Sequence, residues 1–417
     1  MSNVFEKYES GVRSYCRSFP TVFEKAQGSI LTDAQGKEYI DFFSGAGGVN
    51  YGHNNPYIIN KMTEYLASGG VIHSLDMYTV KKEEFISYFQ ENILKPKGFD
   101  YKIQFAGPTG TNAVEAALKL ARKYTGRTNV FAFMGAFHGM TMGSLALTTD
   151  QSSRDAAGLP LIGVTHIPAP YMFENLDTIE YMDTIITDDH SGVEKPAAII
   201  LESVQADGGI YAFDVDWLKA LRALCDKHDI LLILDDIQAG CGRSGNFFSF
   251  ERAGIIPDIV TVSKSIGGVG MPMALVLYKP ELDIWSPGEH TGTFRGNQLS
   301  MVAAKAALEV FVNDNIAEKT EHSQMVMEKY LKENILIIDE RISVRGIGLI
   351  WGVDLSKLGG DELTRKVMQN CFEKGLVMER VGRNNAVMKL MPPLVIEDDL
   401  LIKGLDILKE VLVDLLK

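Results

Sequence analysis

Two side chains of opposite charge follow apolar runs of this 417-residue chain. Lys264 comes two positions after the run 259–262 (IVTV), and Asp235 comes directly after the run 231–234 (LLIL). A lysine just beyond a buried strand is partly desolvated, which lowers its pKa and leaves more of the nucleophilic free amine. Ligands of open α/β sheets bind beyond the carboxyl ends of the strands, so we expect Lys264 and Asp235 at one binding site.

A segment of small residues further up the chain is typical of a phosphate cradle. Residues 107–112 read GPTGTN and lead into a predicted helix over residues 110–124. Backbone N–H groups and hydroxyls at the N-terminus of a helix bind phosphate well, because they supply hydrogen-bond donors where the helix dipole is positive. Gly110 and Thr111 are therefore candidate phosphate ligands.

An aromatic residue and a second carboxylate complete the candidate site. Phe137 follows the strand-like run 130–133 and offers a ring face, and its neighbour His138 is the histidine that we place near the site. Glu202 follows a third apolar run, 197–201 (AAIIL). Pyridoxal 5′-phosphate needs an amine partner, a carboxylate that keeps its ring nitrogen protonated, a phosphate cradle and an aromatic neighbour. These residues together favour it as the cofactor.

The apolar runs that carry these residues predict a sheet with helices on both faces. They lack the strict alternation of half-exposed strands, which is typical of strands buried on both sides. A turn signal at residues 33–36 (DAQG) predicts a hairpin, and residues 346–355 form a further apolar stretch. We predict helices over residues 4–16, 110–124, 215–228, 298–334, 361–374 and from 397 to the end.

This pattern predicts an α/β protein with two unequal parts. Residues 56–315 are expected to form a large cofactor-binding domain around a mostly parallel sheet. Residues 1–55 and 316–417 are expected to form a smaller α+β domain, so that both termini contribute to it.

Composition excludes several classes of partner. A net charge of −13 argues against nucleic acids and anionic membranes, because both attract basic surfaces. No apolar stretch reaches the roughly 18 residues of a membrane span, and the first residues lack the pattern of a signal peptide. The four cysteines are scattered, which is typical of reduced thiols in the cytoplasm. We therefore expect a cytoplasmic protein with small-molecule substrates.

Two other kinds of site are disfavoured by local sequence. Residues 240–245 (GCGRSG) fit the spacing of a dinucleotide-binding loop, but the following NFFSF is a poor start for the required helix. The eight histidines are dispersed and none belongs to a cluster with metal-ligand spacing. We therefore predict neither nicotinamide binding nor a metal site.

Four longer strings resemble the class III, or ω-amino, aminotransferases of the type I pyridoxal-phosphate fold. They are FHGMTMGSLA (137–146), DDIQAGCGRSG (235–245), PDIVTVSKSIGG (257–268) and GTFRGN (292–297). The resemblance runs from about residue 18 to the C-terminus. It implies that Lys264 forms the Schiff base and carries the proton, that Asp235 pairs with the pyridine nitrogen, and that Gln238 lies near the ring hydroxyl.

The same resemblance implies roles for the remaining contacts and for the assembly. Gly110 and Thr111 would hold the phosphate, and Phe137 would stack on the ring. Thr293 matches a threonine that reaches the phosphate of the neighbouring subunit. A homodimer, or a larger homo-oligomer, is therefore implied, with both sites at the interface.

A narrower resemblance concerns the substrate. The strings NYGHNNP (50–56), HSLDMY (73–78) and GPTGTNAVEAALKLAR (107–122) are similar to the diaminobutyrate–2-oxoglutarate aminotransferases. These enzymes move an amino group between glutamate and aspartate 4-semialdehyde, and some serve ectoine synthesis. Other ω-amines (ornithine, 4-aminobutyrate, putrescine), an aminomutase and a regulatory cofactor-binding protein remain as alternatives.

Two positions depart from the general class III pattern. Asp207 stands where a glutamate is common, and Lys389 stands where many ω-aminotransferases carry an arginine ahead of a PPL string, here residues 392–394. Lysine keeps the charge but lacks the bidentate fork of arginine. We hypothesise that Asp207 and Lys389 form a substitute gate, in which Asp207 moves away and Lys389 binds the α-carboxylate of glutamate.

Overall fold

The computed structural model describes residues 4–417 and is built around a seven-stranded sheet. Within those residues the strands are β1 (Phe23–Gln27), β2 (Ile30–Asp33), β3 (Glu38–Asp41), β4 (Lys102–Gly107), β5 (Val130–Phe133), β6 (Val164–Ile167), β7 (Ala198–Leu201), β8 (Val204–Gln205), β9 (Tyr211–Ala212), β10 (Leu231–Asp235), β11 (Ile259–Val262), β12 (Ala274–Tyr278), β13 (Ser343–Ile347), β14 (Ile350–Asp354), β15 (Leu376–Val377), β16 (Glu379–Val381) and β17 (Val387–Leu390).

The central sheet has the order β4-β12-β11-β10-β7-β5-β6 and is mostly parallel. Only β12 runs against its neighbours β11 and β4. Alternate residues of its strands enter two separate apolar clusters: Leu232 and Leu234 face one, and Ile233 faces the other. The predicted α/β class and the sheet buried on both sides are confirmed.

Helices cover both faces of this sheet. They are α1 (Val4–Tyr8), α2 (Tyr15–Ser18), α3 (Ser44–Gly47), α4 (Pro56–Ala67), α5 (Val80–Phe89), α6 (Gly110–Thr125), α7 (Met142–Leu147), α8 (Gln151–Asp155), α9 (Thr178–Thr187), α10 (Val215–Lys227), α11 (Gln298–Asn313), α12 (Ile316–Tyr330), α13 (Gly360–Glu373) and α14 (Asp398–Leu416). The predicted helices over 110–124, 215–228, 361–374 and the C-terminal segment are confirmed.

Two predicted helices are interrupted. The helix predicted over residues 4–16 was wrong, because only α1 and α2 form and residues 9–14, which include Gly11, separate them. Neither piece has a buried residue, so no packing stabilises a longer helix there. The stretch 298–334 divides into α11 and α12 at Asn315, whose φ of 52° is left-handed, a conformation that asparagine tolerates better than most residues.

Smaller sheets join the two ends of the chain. The predicted hairpin is formed by β2 and β3, and β3 also pairs in parallel with β15 near the C-terminus. A second four-stranded sheet has the order β13-β14-β17-β16. The stretch 346–355 belongs to its β13–β14 hairpin, which turns at Gly348 with a φ of 54°. The domain boundaries at residues 55/56 and 315/316 stay a prediction.

No helix between residues 4 and 417 combines the length and the apolarity needed to cross a bilayer. The segment 240–245 forms turns, and no helix opens on its last glycine. The nearest regular element downstream is a single 3-10 turn over Ser249–Ala253. The segment therefore lacks the helix N-terminus that a dinucleotide-binding loop requires.

Candidate active site

A cavity of about 160 Å³ lies beyond the carboxyl ends of β7, β10 and β11. Nine of the residues singled out from the sequence line it: Gly110, Thr111, Phe137, His138, Glu202, Asp207, Asp235, Gln238 and Lys264. The strand order explains this meeting, because β11, β10 and β7 are adjacent and parallel. The cavity therefore occupies the position where ligands of open α/β sheets bind.

Lys264 reaches the cavity from a strained turn. It begins the 3-10 turn Lys264–Gly267 after β11, with a φ of 54° in the left-handed region. Such a conformation costs energy for a residue with a side chain, and it is most often kept where it serves function. Burial lowers the pKa of Lys264; Asp207 opposes this shift and Lys389 adds to it. The result is an amine that loses its proton more readily than a solvated lysine.

Asp235 is held by three donors at the end of β10. Its Oδ2 lies 2.7 Å from Nδ1 of His138, and its Oδ1 accepts hydrogen bonds from the Thr261 hydroxyl at 3.1 Å and the Ile237 N–H at 3.2 Å. Burial would lower the pKa of His138, but the hydrogen bond and charge of Asp235 outweigh it and raise this pKa. The carboxylate is thus fixed in orientation while it lines the cavity.

The start of α6 also lines the cavity. Thr109 and Asn112 form a capping box there, which leaves Gly110 and Thr111 at the helix N-terminus. Space is tight around them: a methyl group added to Gly139 would lie 2.5 Å from the Thr111 hydroxyl oxygen. Exposed N–H groups, a hydroxyl and the positive end of a helix dipole suit a phosphate group.

Glu202 shapes the loops around the cavity. Its Oε1 accepts the N–H of Phe137 at 3.0 Å, and its Oε2 accepts the N–H of Ala206 at 3.2 Å. Burial raises the pKa of Glu202 to about 7. Both oxygens therefore bind backbone, and this places Phe137 on one side of the cavity and the loop that carries Asp207 on another.

Lys389 lies behind the cavity wall rather than in it. Its side chain is 1% exposed, and its Nζ lies 3.0 Å from Asp207 Oδ1, 2.7 Å from Glu379 Oε2 and 3.2 Å from Gln238 Oε1. The proximity of Asp207 and Lys389 agrees with the pairing that we hypothesised. Glu379 was missed, because no local sequence signal links it to residues that are distant in the chain.

Thr293 is a predicted site residue that lies outside this cavity. It starts the 3-10 turn Thr293–Gly296 and does not line the cavity of its own chain. The next residue, Phe294, is 66% exposed. The role of Thr293 at a phosphate therefore stays a prediction.

The features of the cavity fit pyridoxal phosphate. An amine with a lowered pKa, a fixed carboxylate, a helix N-terminus and a phenyl ring surround one space, as the ring, aldehyde and phosphate of this cofactor demand. Gly110 and Gly139 have no room for a side chain, since a methyl group at Gly110 would approach the Ile237 side chain to 3.0 Å.

Comparisons with known proteins agree with this arrangement. The class III aminotransferase family matches residues 13–412. An uncharacterized aminotransferase of Sinorhizobium fredii is 51% identical over 97% of this chain and 90% of its own length. A diaminobutyrate–2-oxoglutarate transaminase of Wolinella succinogenes is 50% identical over 99% of this chain and 96% of its own.

A solved structure extends the agreement to the fold. The crystal structure of a Bacillus anthracis aminotransferase superposes with a TM-score of 0.87 at 26% identity, covering 98% of this chain and 97% of that one. The fold is thus that of the pyridoxal-phosphate aminotransferases, as the sequence had predicted. The chain belongs to the class III aminotransferases, and its cofactor is pyridoxal 5′-phosphate.

Proposed function

We propose that the protein transfers an amino group between L-glutamate and aspartate 4-semialdehyde, with 2-oxoglutarate and L-2,4-diaminobutyrate as the products. Relatives at 49–50% identity over nearly the whole chain carry the name diaminobutyrate–2-oxoglutarate transaminase, which supports this substrate pair. The observation that carries the catalytic part is the cavity in which Lys264 and Asp235 meet. Ectoine synthesis is one pathway that such a product would serve.

Each residue of the cavity makes a different contact with the cofactor in this proposal. When bound, pyridoxal phosphate withdraws electrons from the substrate carbon that loses its proton. Asp235 keeps the ring nitrogen protonated by placing a fixed negative charge beside it. Gly110 and Thr111 bind the phosphate, Phe137 covers one face of the ring, and Gln238 faces the ring hydroxyl.

Lys264 has two tasks in this proposal. Its Nζ is the group that would hold the cofactor covalently between turnovers and give way to a substrate amine. Once free, the same Nζ would carry the proton between the substrate carbon that loses the amino group and the cofactor carbon that receives it. The lowered pKa of Lys264 supports this role, because the amine must be unprotonated to accept that proton.

Asp207 and Lys389 distinguish the two amino donors. Glutamate carries a carboxylate on the carbon that reacts, whereas diaminobutyrate does not. Lys389 binds that carboxylate when Asp207, whose side chain is 36% exposed, moves aside. For diaminobutyrate, Asp207 stays on Lys389 and the positive charge remains neutralised.

The active enzyme in this proposal is a homodimer, or a larger assembly of such dimers. Thr293 needs a second copy to reach a cavity, and the nearby segment from Leu75 to Val80 exposes large apolar side chains. Tyr78 is fully exposed and Val80 is 67% exposed in the single chain. Apolar side chains in such numbers on one surface are typical of a protein interface.

A cytoplasmic location belongs to the same proposal. The four cysteines are free, and three of them (Cys225, Cys241 and Cys371) are buried. Free thiols persist in reducing compartments, where disulfides are rare.

Half-reactions test the proposed substrates. Glutamate, diaminobutyrate, ornithine and 4-aminobutyrate are added separately to the cofactor-loaded protein, and the absorbance of the cofactor is followed. We expect glutamate and diaminobutyrate to convert the cofactor to its amine form. Conversion by ornithine or 4-aminobutyrate in place of diaminobutyrate would contradict the proposal.

Borohydride reduction tests the attachment point. We expect a stable cofactor adduct on Lys264 in the wild type, detected by peptide mass spectrometry. Lys264→Ala should bind the cofactor without forming the adduct and should lose nearly all turnover. An adduct on another lysine, or substantial activity of Lys264→Ala, would disprove the assignment.

A further inference from the structure

The ammonium group of Lys389 is surrounded by acceptors inside the protein: it hydrogen-bonds to Asp207 and Gln238 and forms an ion pair with Glu379. A lysine has three N–H bonds and no acceptor, and three acceptors lie around this one: Asp207, Glu379 and Gln238. Burial would lower the pKa of Lys389, but the charges of Asp207 and Glu379 and its hydrogen bonds to both raise that pKa above its ordinary value. The group is therefore a permanent donor, and each partner must present an acceptor to it.

This requirement determines the orientation of the Gln238 amide. Because Lys389 can only donate, the oxygen of Gln238 must face it, at 3.2 Å. One N–H of the same amide donates to the Ala46 carbonyl oxygen at 3.0 Å. The second N–H is left for the contents of the cavity, which Gln238 lines. A reversed amide would place N–H groups against the ammonium and offer the cavity an acceptor instead.

Glu379 and Asp207 contact Lys389 from different elements of the fold. Glu379 and Lys389 are directly opposite each other in the antiparallel pair β16–β17, so the sheet itself holds them together. The second carboxylate oxygen of Glu379 accepts the hydroxyl of Tyr15 at 3.0 Å. Asp207, by contrast, comes from the loop between β8 and β9. Asp207 can therefore leave without releasing Lys389 from Glu379 and Gln238.

We propose that Lys389, anchored by Glu379, is a positioning residue that sets the Gln238 amide so that it donates a hydrogen bond to the cofactor ring. The inference rests on the proposed function, since it takes the ring oxygen of pyridoxal phosphate as the acceptor. It means that Lys389 orients the Gln238 amide whether or not Asp207 is in contact with it. It also assigns Glu379 a role at a site that it does not line.

Binding of pyridoxamine 5′-phosphate to the cofactor-free protein tests this role. This form of the cofactor binds without a covalent link to Lys264, so its dissociation constant, measured by calorimetry, reports the ring contacts. Gln238→Ala and Lys389→Met should each weaken binding about three- to tenfold, the value of one hydrogen bond. If Lys389 acts through Gln238, the double variant should bind no more than about twofold worse than Gln238→Ala alone.

Two outcomes of this experiment would overturn the inference. A double variant whose loss equals the product of the two single losses would show that Lys389 acts independently of Gln238, and the inference would be overturned. An unchanged dissociation constant in Lys389→Met would overturn it as well. If the wild type failed to bind pyridoxamine 5′-phosphate at all, the proposed function would fail instead.

Arg345→Met is the matched control. Arg345 is also a cation of the second four-stranded sheet, and it pairs with Asp354 at 2.9 Å without lining the cavity. Its replacement should leave the dissociation constant unchanged. If Lys389→Met alone does not fold, it is combined with Glu379→Gln, which removes the carboxylate charge that would otherwise be left unpaired. The combined variant is then compared with and without Gln238→Ala.

Discussion

The amine of Lys264 responds to charges of both signs. Burial and the nearby ammonium of Lys389 lower its pKa, and the carboxylates of Asp207, Glu379 and Asp235 raise it. Movement of Asp207 away from the cavity would remove the strongest of the opposing charges. The proton affinity of Lys264 is therefore coupled to the same side chain that we propose to respond to the substrate.

Replacement of Asp235 by asparagine should remove the charge that we propose to hold the ring nitrogen protonated. We expect turnover to fall at least about a hundredfold, or ~3 kcal/mol of barrier, while the protein still takes up cofactor. Steady-state rates with glutamate and 2-oxoglutarate exchange would measure this. Asp236→Asn is the control, because this adjacent carboxylate does not line the cavity and should leave turnover intact. Similar rates for Asp235→Asn and the wild type would contradict the assignment.

Loss of the Lys389 ammonium should affect glutamate more than the cofactor. We expect Lys389→Met to raise the KM for glutamate about tenfold or more, because a buried charge-assisted hydrogen bond to its carboxylate is lost. The KM for diaminobutyrate should change less. Equal changes for the two donors, measured in parallel steady-state assays, would rule out a selective contact with the glutamate carboxylate.

The residues near Lys264 differ in how far the sequence revealed them. Lys264 and Asp235 were predictable because each lies at or just beyond the end of a strand whose burial is visible in a few adjacent letters. Glu379 was not, because its link to Lys389 depends on the register of β16 and β17. The contact of Tyr15 with Glu379 joins residues 364 positions apart. Distances of that kind are set by tertiary packing, which local patterns do not encode.

The end of β10 presents two carboxylates in succession to different surroundings. Asp235 lines the cavity, whereas the next residue, Asp236, is 1% exposed and binds the N–H and hydroxyl of Ser249 at the start of a 3-10 turn. Successive side chains of an extended chain point to opposite faces, so Asp235 and Asp236 contact different parts of the protein. Asp236 joins β10 to the turn that follows the glycine-rich segment 240–245.

The stability of the protein should depend on pH through Asp236. Burial raises its pKa from 3.8 to about 7. A carboxyl whose pKa is raised by folding contributes stability below its unfolded pKa, and this contribution is lost as the pH rises through the folded value. The stability of Asp236→Asn relative to that of the wild type should therefore rise between pH 5 and pH 8, by on the order of 2 kcal/mol. Thermal unfolding of both proteins at the two pH values measures this difference. A difference between variant and wild type that stays constant with pH would disprove this.

The helix prediction for residues 4–16 failed because this segment lacks a buried face. The periodicity of residues 110–124 was reliable because Ala113, Val114 and Leu118 of α6 pack beneath the central sheet. Residues 4–16 include Gly11, and neither α1 nor α2 has a buried residue, so α1 ends at Tyr8. Helix propensity alone does not sustain so short a segment in water.

Assembly of the whole enzyme should depend on the exposed segment before α5. We expect Tyr78→Glu combined with Val80→Glu to convert the dimer to monomers and to weaken cofactor retention, because Thr293 of a second copy would be lost. Light scattering after size-exclusion chromatography measures the mass. Ile337→Glu is the control, since Ile337 is 73% exposed and lies outside this segment. A doubly substituted protein that remains dimeric would contradict the proposed interface.

The pairing of β3 with β15 has a consequence during synthesis. Lys37 and Glu373, which hydrogen-bond beside this pair, are 336 residues apart. At about 5–20 residues per second, a ribosome needs roughly 20–70 s to deliver the second strand after the first. Throughout that interval the outer edge of β3 has no hydrogen-bonding partner from its own polypeptide, and open strand edges invite association with other chains. The nascent chain is therefore exposed to aggregation through this edge until β15 emerges from the ribosome.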